Sequence, residues 1–156
     1  LDAVGLFQVD RDVATTTQKD VVMRRVGQRS ADRLREAVYL SFALGVESLV
    51  VNQGIKRLFR RERPTEAGDP RFPVRRPSTS AFPSGHASAA FFAATLLTAW
   101  DGAAVAPLWF GLAVVVGASR AYVRIHHPSD VVGGAAVGTA LALVARAALA
   151  AWTPWA

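Results

Sequence analysis

The chain has 156 residues, enough for one domain around one core, and carries a net charge of +6. Hydrophobic residues make up 51% and charged residues only 19%, a balance that leans toward a membrane protein; the absence of cysteine excludes disulfides, thiolate catalysis and cysteine-ligated zinc. The positive charge suits nucleic acid, anionic headgroups or phosphorylated substrates, but every Lys and Arg between Lys56 and Arg124 falls in two short stretches, 56–76 and 120–124, rather than in the stripe along a polar helix that would make nucleic acid a partner.

Residues 1–36 are polar and mixed in charge and show no signal-peptide pattern; the chain begins at Leu1 rather than Met, which leaves room for a further N-terminal piece. The stretch 18–36 reads as an amphipathic helix, suited to a membrane surface or to packing on a core. Residues 37–55 are apolar apart from Glu47, Asn52 and Gln53 and predict a helix of membrane-spanning length. An acid in such a segment faces the bundle interior, so Glu47 is expected to partner a basic residue, with a place in a site as the alternative. Residues 56–83 are basic and interrupted by Pro64, Pro70, Pro73, Pro77 and Pro83, which forbid a long helix and predict a functional loop. Apolar helices follow at 84–100, 103–118 and 131–152, separated by the Asp101-Gly102 turn signal and a loop at 119–130. The Gly133, Gly134 and Gly138 face suits close packing in lipid, and Trp100, Trp109, Trp152 and Trp155 lie near the run ends, as at membrane interfaces. The expected fold is all-α: an antiparallel, multi-pass transmembrane helical bundle over 37–156, preceded by a polar arm over 1–36.

Three clusters carry chemistry: Lys56-x6-Arg63-Pro64, Pro83-Ser84-Gly85-His86, and Ser119-Arg120-x5-His126-x3-Asp130. A transferring phosphoryl group spreads negative charge over its oxygens, and catalysing its transfer is mainly positioning and charge stabilisation. Arginine grips phosphate with a planar fork and lysine with a point charge, so Lys56, Arg63 and Arg120 suit that task. Ser84, Gly85 and His86 open an apolar helix whose free N–H groups and positive dipole end make a phosphate cradle. One histidine can attack phosphorus while the other protonates the leaving oxygen and then activates water. Asp130, four residues after His126, is placed to hold one ring nitrogen and leave the other free. Antiparallel helices would bring all three clusters to one aqueous boundary.

The clusters match the signature KxxxxxxRP, PSGH and SRxxxxxHxxxD, and over residues 56–130 the chain resembles the PAP2 (type 2 phosphatidic acid phosphatase) superfamily. The resemblance implies a membrane lipid-phosphate phosphatase that needs no metal or other cofactor. It assigns phosphate binding to Lys56, Arg63 and Arg120, assisted by Ser84, Gly85 and Ser119. His86 becomes the acid, His126 the nucleophile and Asp130 its orienting carboxylate, with His127 a neighbour outside the spacing. Arg57, Arg60, Arg61, Arg71, Arg75, Arg76 and Arg124 are expected at the surface or against headgroups, and Arg75 and Arg76 could meet a second phosphate. Implied substrates are polyprenyl phosphates or pyrophosphates, phosphatidic acid, phosphatidylglycerophosphate and phosphorylated polyprenyl sugars. The Ala, Arg and Val bias points to a GC-rich bacterium and to a cell-wall lipid carrier. Family members often place two helices before the Lys motif, whereas residues 1–36 here hold no span. Charge asymmetry gives no orientation, and the resemblance implies a site facing out of the cytoplasm. The alternatives are a phosphotransferase or vanadate-dependent enzyme on the same site, and a non-catalytic phospholipid-binding membrane protein.

Overall fold

The computed structural model describes residues 3–64 and 79–152. Pro70, Pro73, Pro77, Arg71, Arg75, Arg76 and Trp155, singled out in the sequence, lie outside the described residues. No strand occurs among those described. Helix α1 (Ala3–Leu49) runs into a π-helical turn (Val50–Gly54) and a 3-10 turn (Ile55–Leu58). Then come α2 (Gly85–Asp101), a 3-10 turn (Ala103–Val105), α3 (Ala106–Tyr122) and α4 (Pro128–Trp152). The chain divides into two compact units, Leu1–Tyr39 and Leu40–Ala156.

In the first unit, Val21, Met23, Val26, Leu34 and Val38 are all exposed. Arg33 and Glu36 form an ion pair at 3.0 Å and Arg35 and Asp32 another at 3.7 Å, both on the surface, where such pairs add little stability. Instead of a separate helix over 18–36, one helix runs from Ala3 to Leu49. The physical reason is that no proline interrupts this stretch, and Gly27 and Gly45, with open space around them, lower helix propensity without breaking the hydrogen-bond ladder.

In the second unit, α2 packs against both α3 and α4. Ser84 caps α2, its hydroxyl accepting from the Ala87 N–H, and Gly102 ends the helix at φ +94°, a conformation that favours glycine. Ala87, Phe92, Ala94 and Leu96 form its buried face. The α2–α4 contact is backbone to backbone: a Cβ on Gly134 would lie 2.4 Å from the Ser84 carbonyl oxygen, and one on Gly138 would lie 2.0 Å from that of Ser88. Trp109 Nε1 donates to Asp101 Oδ2 at 3.0 Å and ties the turn between α2 and α3.

Among the described residues, two helices are long and apolar enough to cross a membrane, Ala103–Tyr122 and Pro128–Ala151. A core helix of a water-soluble bundle is mostly buried, but only 11% and 17% of these two windows are. Leu108, Leu112, Val114, Val115, Val132, Leu143 and Val144 turn outward instead, a surface suited to lipid. Helix α2, with 17 residues, reaches roughly 25 Å, short of the ~30 Å hydrocarbon core.

Candidate active site

The site grows from three chain segments. Ala81 N–H donates to the Arg61 carbonyl at 2.9 Å, Ser84 N–H to the Asp130 carbonyl at 2.9 Å, and His126 N–H to the Arg120 carbonyl at 3.3 Å. These bonds hold the residues after α1, the entry to α2 and the turn between α3 and α4 together.

Lys56 follows the π-helical turn, a feature that often re-aims side chains at functional sites. It is 7% exposed. Its Nζ lies 3.4 Å, ordinary contact distance, from where a Cβ of Gly85 would stand, so it reaches the entry of α2. Burial and the Arg63 charge push the Lys56 ammonium below the ordinary lysine pKa, while Glu47 pulls it back up.

Arg63 is buried, and its guanidinium is saturated on two sides. One terminal nitrogen donates to the Ile125 carbonyl at 2.9 Å and stands 3.3 Å from His126 Nε2. The other donates to the carbonyls of Thr79 at 3.1 Å and Ser80 at 3.4 Å. Its Nε–H is buried without a partner among the described residues.

His126 is 3% exposed. A guanidinium can only donate, so Nε2 must accept, which puts the proton of the neutral ring on Nδ1. Nδ1 makes no well-formed hydrogen bond among the described residues and lies 3.8 Å from Asp130 Oδ2. Closing that gap to a hydrogen bond takes under about an ångström. Asp130, fully buried, begins α4 at the third helical position, and Oδ2 reaches back to accept the His127 N–H at 2.8 Å, half of a capping box. The carboxylate's contacts differ from the sequence reading. Oδ2 also stands 3.3 Å from His127 Nδ1, and Oδ1 lies 3.0 Å from the Arg61 guanidinium.

Arg120 and Ser119 lie on the last turn of α3, which runs to Tyr122 rather than stopping at 118. Arg120 Nε donates to Ser119 Oγ at 3.1 Å, and that hydroxyl donates to the Val116 carbonyl at 2.7 Å, so Ser119 orients Arg120. His86 is exposed at the start of α2, under the electrostatic influence of Arg120, Lys56 and Arg63.

The structure therefore gathers His126, Asp130, Arg63 and Lys56 with Ser84 and Gly85, and sets the half-buried Arg120 and the exposed His86 within electrostatic reach of one another. Arg61 and His127 were missed by sequence reasoning as partners of Asp130. Arg61 is one of several neighbouring arginines, and no local signal distinguishes it. Arg57 and Arg60 are exposed, as expected, with Arg57 donating to Gln53 at 2.6 Å.

Burial first, then the Arg63 charge, lowers the His126 pKa to about 4. Above pH about 6.5 the ring is neutral both folded and unfolded and contributes no pH dependence. Between about 6.5 and about 4 the unfolded chain takes up a proton that the buried ring refuses, so stability falls with falling pH, by on the order of 3 kcal/mol once below both values. The expected result is a melting temperature in detergent that drops between about pH 7 and about pH 5, with a shallower drop in His126→Gln. Equal slopes in the two proteins would exclude His126 as the source.

The sequence model of the PAP2 superfamily matches residues 36–154. A decaprenylphosphoryl-5-phosphoribose phosphatase of Mycolicibacterium smegmatis is 41% identical over 80 residues, 51% of this chain and 42% of that protein. Among solved structures, a transmembrane PAP2-type phosphatidylglycerolphosphate phosphatase from Bacillus subtilis superposes with a TM-score of 0.57 at 25% identity, over 70% of this chain and 57% of that one. LpxE of Aquifex aeolicus superposes with a TM-score of 0.61 at 27% identity, over 74% and 69%. The chain thus spans less than half of the curated relative and somewhat more than half of the Bacillus structure.

Proposed function

The chain belongs to the PAP2 superfamily, and from that premise we propose that it is a membrane phosphatase that hydrolyses a lipid phosphate, through a phosphohistidine formed on His126. The observation that carries this reading is the His126 environment: Arg63 donates toward Nε2 while Asp130 lies on the Nδ1 side. Such a ring keeps its lone pair on Nε2, the nitrogen that attacks.

The steps follow from the groups present. The substrate phosphate enters between Lys56, Arg120 and the Gly85 entry of α2, and takes over N–H donors of Arg63 from Nε2. The freed Nε2 lone pair attacks phosphorus, and the Nδ1–H of the resulting imidazolium closes on Asp130. His86 gives its proton to the departing lipid oxygen. The neutral His86 then takes a proton from water, the resulting hydroxide attacks the phosphohistidine, and inorganic phosphate leaves with His126 restored. The negative charge that develops lies on phosphate oxygens flanked by Lys56, Arg63 and Arg120, and the positive charge on the His126 ring faces Asp130.

The similarity to a decaprenylphosphoryl-5-phosphoribose phosphatase favours a polyprenyl-linked phosphate as the substrate. The outward apolar surfaces of α3 and α4 support embedding in a membrane, and the extracytoplasmic side is the one the family resemblance implies for the site. The test is phosphate release in detergent, with chelator present, from polyprenyl phosphates, a phosphorylated polyprenyl sugar, phosphatidic acid and phosphatidylglycerophosphate. Release from a polyprenyl substrate is expected, with kcat/KM lowered about a hundredfold in Arg63→Lys, because an ammonium cannot hold the Ile125 and Thr79 carbonyls and an anion at once. No release from any of these lipids would overturn the proposal.

A further inference from the structure

We propose that Glu47 is a positioning residue of the phosphate site, its buried carboxylate being the counter-charge that keeps Lys56 charged and aimed at the first turn of α2. The inference rests on the phosphatase reading above.

Glu47 is 3% exposed, on the last turns of α1, and the proposed reaction gives it no part. A buried carboxylate without partners costs several kcal/mol, so its surroundings are informative. One partner is Ser88, fully buried, whose hydroxyl donates to Oε1. Ser88 lies three residues after Gly85 on α2, and residues at that spacing share a helix face. Over Gly85, on the same helix turn, stand Lys56 Nζ and Asn52 Oδ1, at 3.4 and 3.3 Å from where its Cβ would be. Asn52 is itself held to Ser48, its Nδ2 donating to Oγ at 3.0 Å. Glu47 and Lys56 therefore address residues three apart on one face of α2. In a buried setting opposite charges interact strongly beyond direct contact.

The other charges around Lys56 make this partner necessary. Arg63, from the segment after the 3-10 turn, repels it; His86 from α2 and His126 from the turn before α4 both sense it. Arg120 of α3 adds a further cation at His86, and Asp130 of α4 acts on Arg63. Among the described residues, Glu47 is the acid that acts on Lys56. A neutral amine at Lys56 would lose its attraction for phosphate, and the site would empty from the alkaline side.

The experiment uses the full chain in detergent and inorganic phosphate as probe, reading the rise in melting temperature that phosphate gives as pH is raised through the alkaline range. Glu47→Gln keeps the shape and removes the charge. Its alkaline limit of phosphate stabilisation is expected to fall by about one pH unit or more relative to the wild type. Ser88→Ala, which removes the hydrogen bond and keeps the charge, is expected to keep the wild-type limit. In a Lys56→Arg background, Glu47→Gln is expected to shift nothing, because a guanidinium stays charged throughout. If Glu47→Gln alone does not fold, adding Lys56→Met is expected to restore folding by removing the unpaired buried charge; a double variant that stays unfolded overturns the pairing. An unchanged limit in Glu47→Gln, an equal shift in Ser88→Ala, or a shift in the Lys56→Arg background would each overturn the role of Glu47 while leaving the phosphatase reading in place. A wild-type protein that phosphate never stabilises would overturn that reading, and this inference with it.

Discussion

Replacing His126 with alanine is expected to lower phosphate release by roughly ten-thousandfold or more, since removing a nucleophile leaves only binding and charge stabilisation. The loss should lie in kcat. Lys56, Arg120 and the α2 entry are untouched by the substitution, so lipid binding should change far less. His127 provides the internal control. Its ring lies 3.3 Å from Asp130 but its spacing to the other groups differs, so His127→Ala is expected to slow the reaction by a much smaller factor. Alkaline quenching during turnover should trap phosphate bound to the wild-type protein, because a phosphohistidine survives base, and none on His126→Ala. Equal release by His126→Ala, or equal trapping on it, would move the nucleophile elsewhere.

The second large effect concerns a residue with no chemistry. Gly138→Ala adds one carbon, placed 2.0 Å from the Ser88 carbonyl oxygen and 2.8 Å from its carbonyl carbon. Those are backbone atoms of a helix, which cannot swing aside as a side chain would, so α2 and α4 must separate. Overpacking of this kind costs about 3 kcal/mol, which for a chain of this size lowers the melting temperature by on the order of 10 °C. Activity should fall further than stability alone requires, because the same contact aligns Ser84 with the Asp130 carbonyl at 2.9 Å. Gly111→Ala on α3 is the matched control: nothing lies within 4 Å of its added carbon, and a neutral or slightly stabilising outcome is expected there. A melting temperature for Gly138→Ala equal to that of Gly111→Ala would show that the helices are not in backbone contact.

Much was legible in the sequence because it depends on neighbours along the chain. The apolar runs dictated helices, prolines and Asp101-Gly102 marked their ends, and the all-α membrane-type bundle followed. The spacing of Lys56 and Arg63, of Ser84 to His86, and of Ser119 to Asp130 marked phosphate chemistry, since groups within one segment keep their separation however the chain folds. The family follows from the same residues. Other features required the tertiary structure. No local pattern separates a helix over 18–36 from one running on to Leu49, because both satisfy the same propensities. Which donor meets which acceptor is decided by long-range packing: Arg63 reaches His126 across 63 positions, Arg61 reaches Asp130 from a row of similar arginines, and Ser88 meets Glu47 across 41. The sequence by itself marked the candidate groups, because their chemistry and their spacing within a segment do not depend on the fold. Only the packing of α2 on α4, and of the segments that precede them, decided that Nε2 of His126 keeps the lone pair and that Asp130 is shared with Arg61 and His127, because burial and hydrogen-bond direction belong to the folded neighbourhood and not to the residue.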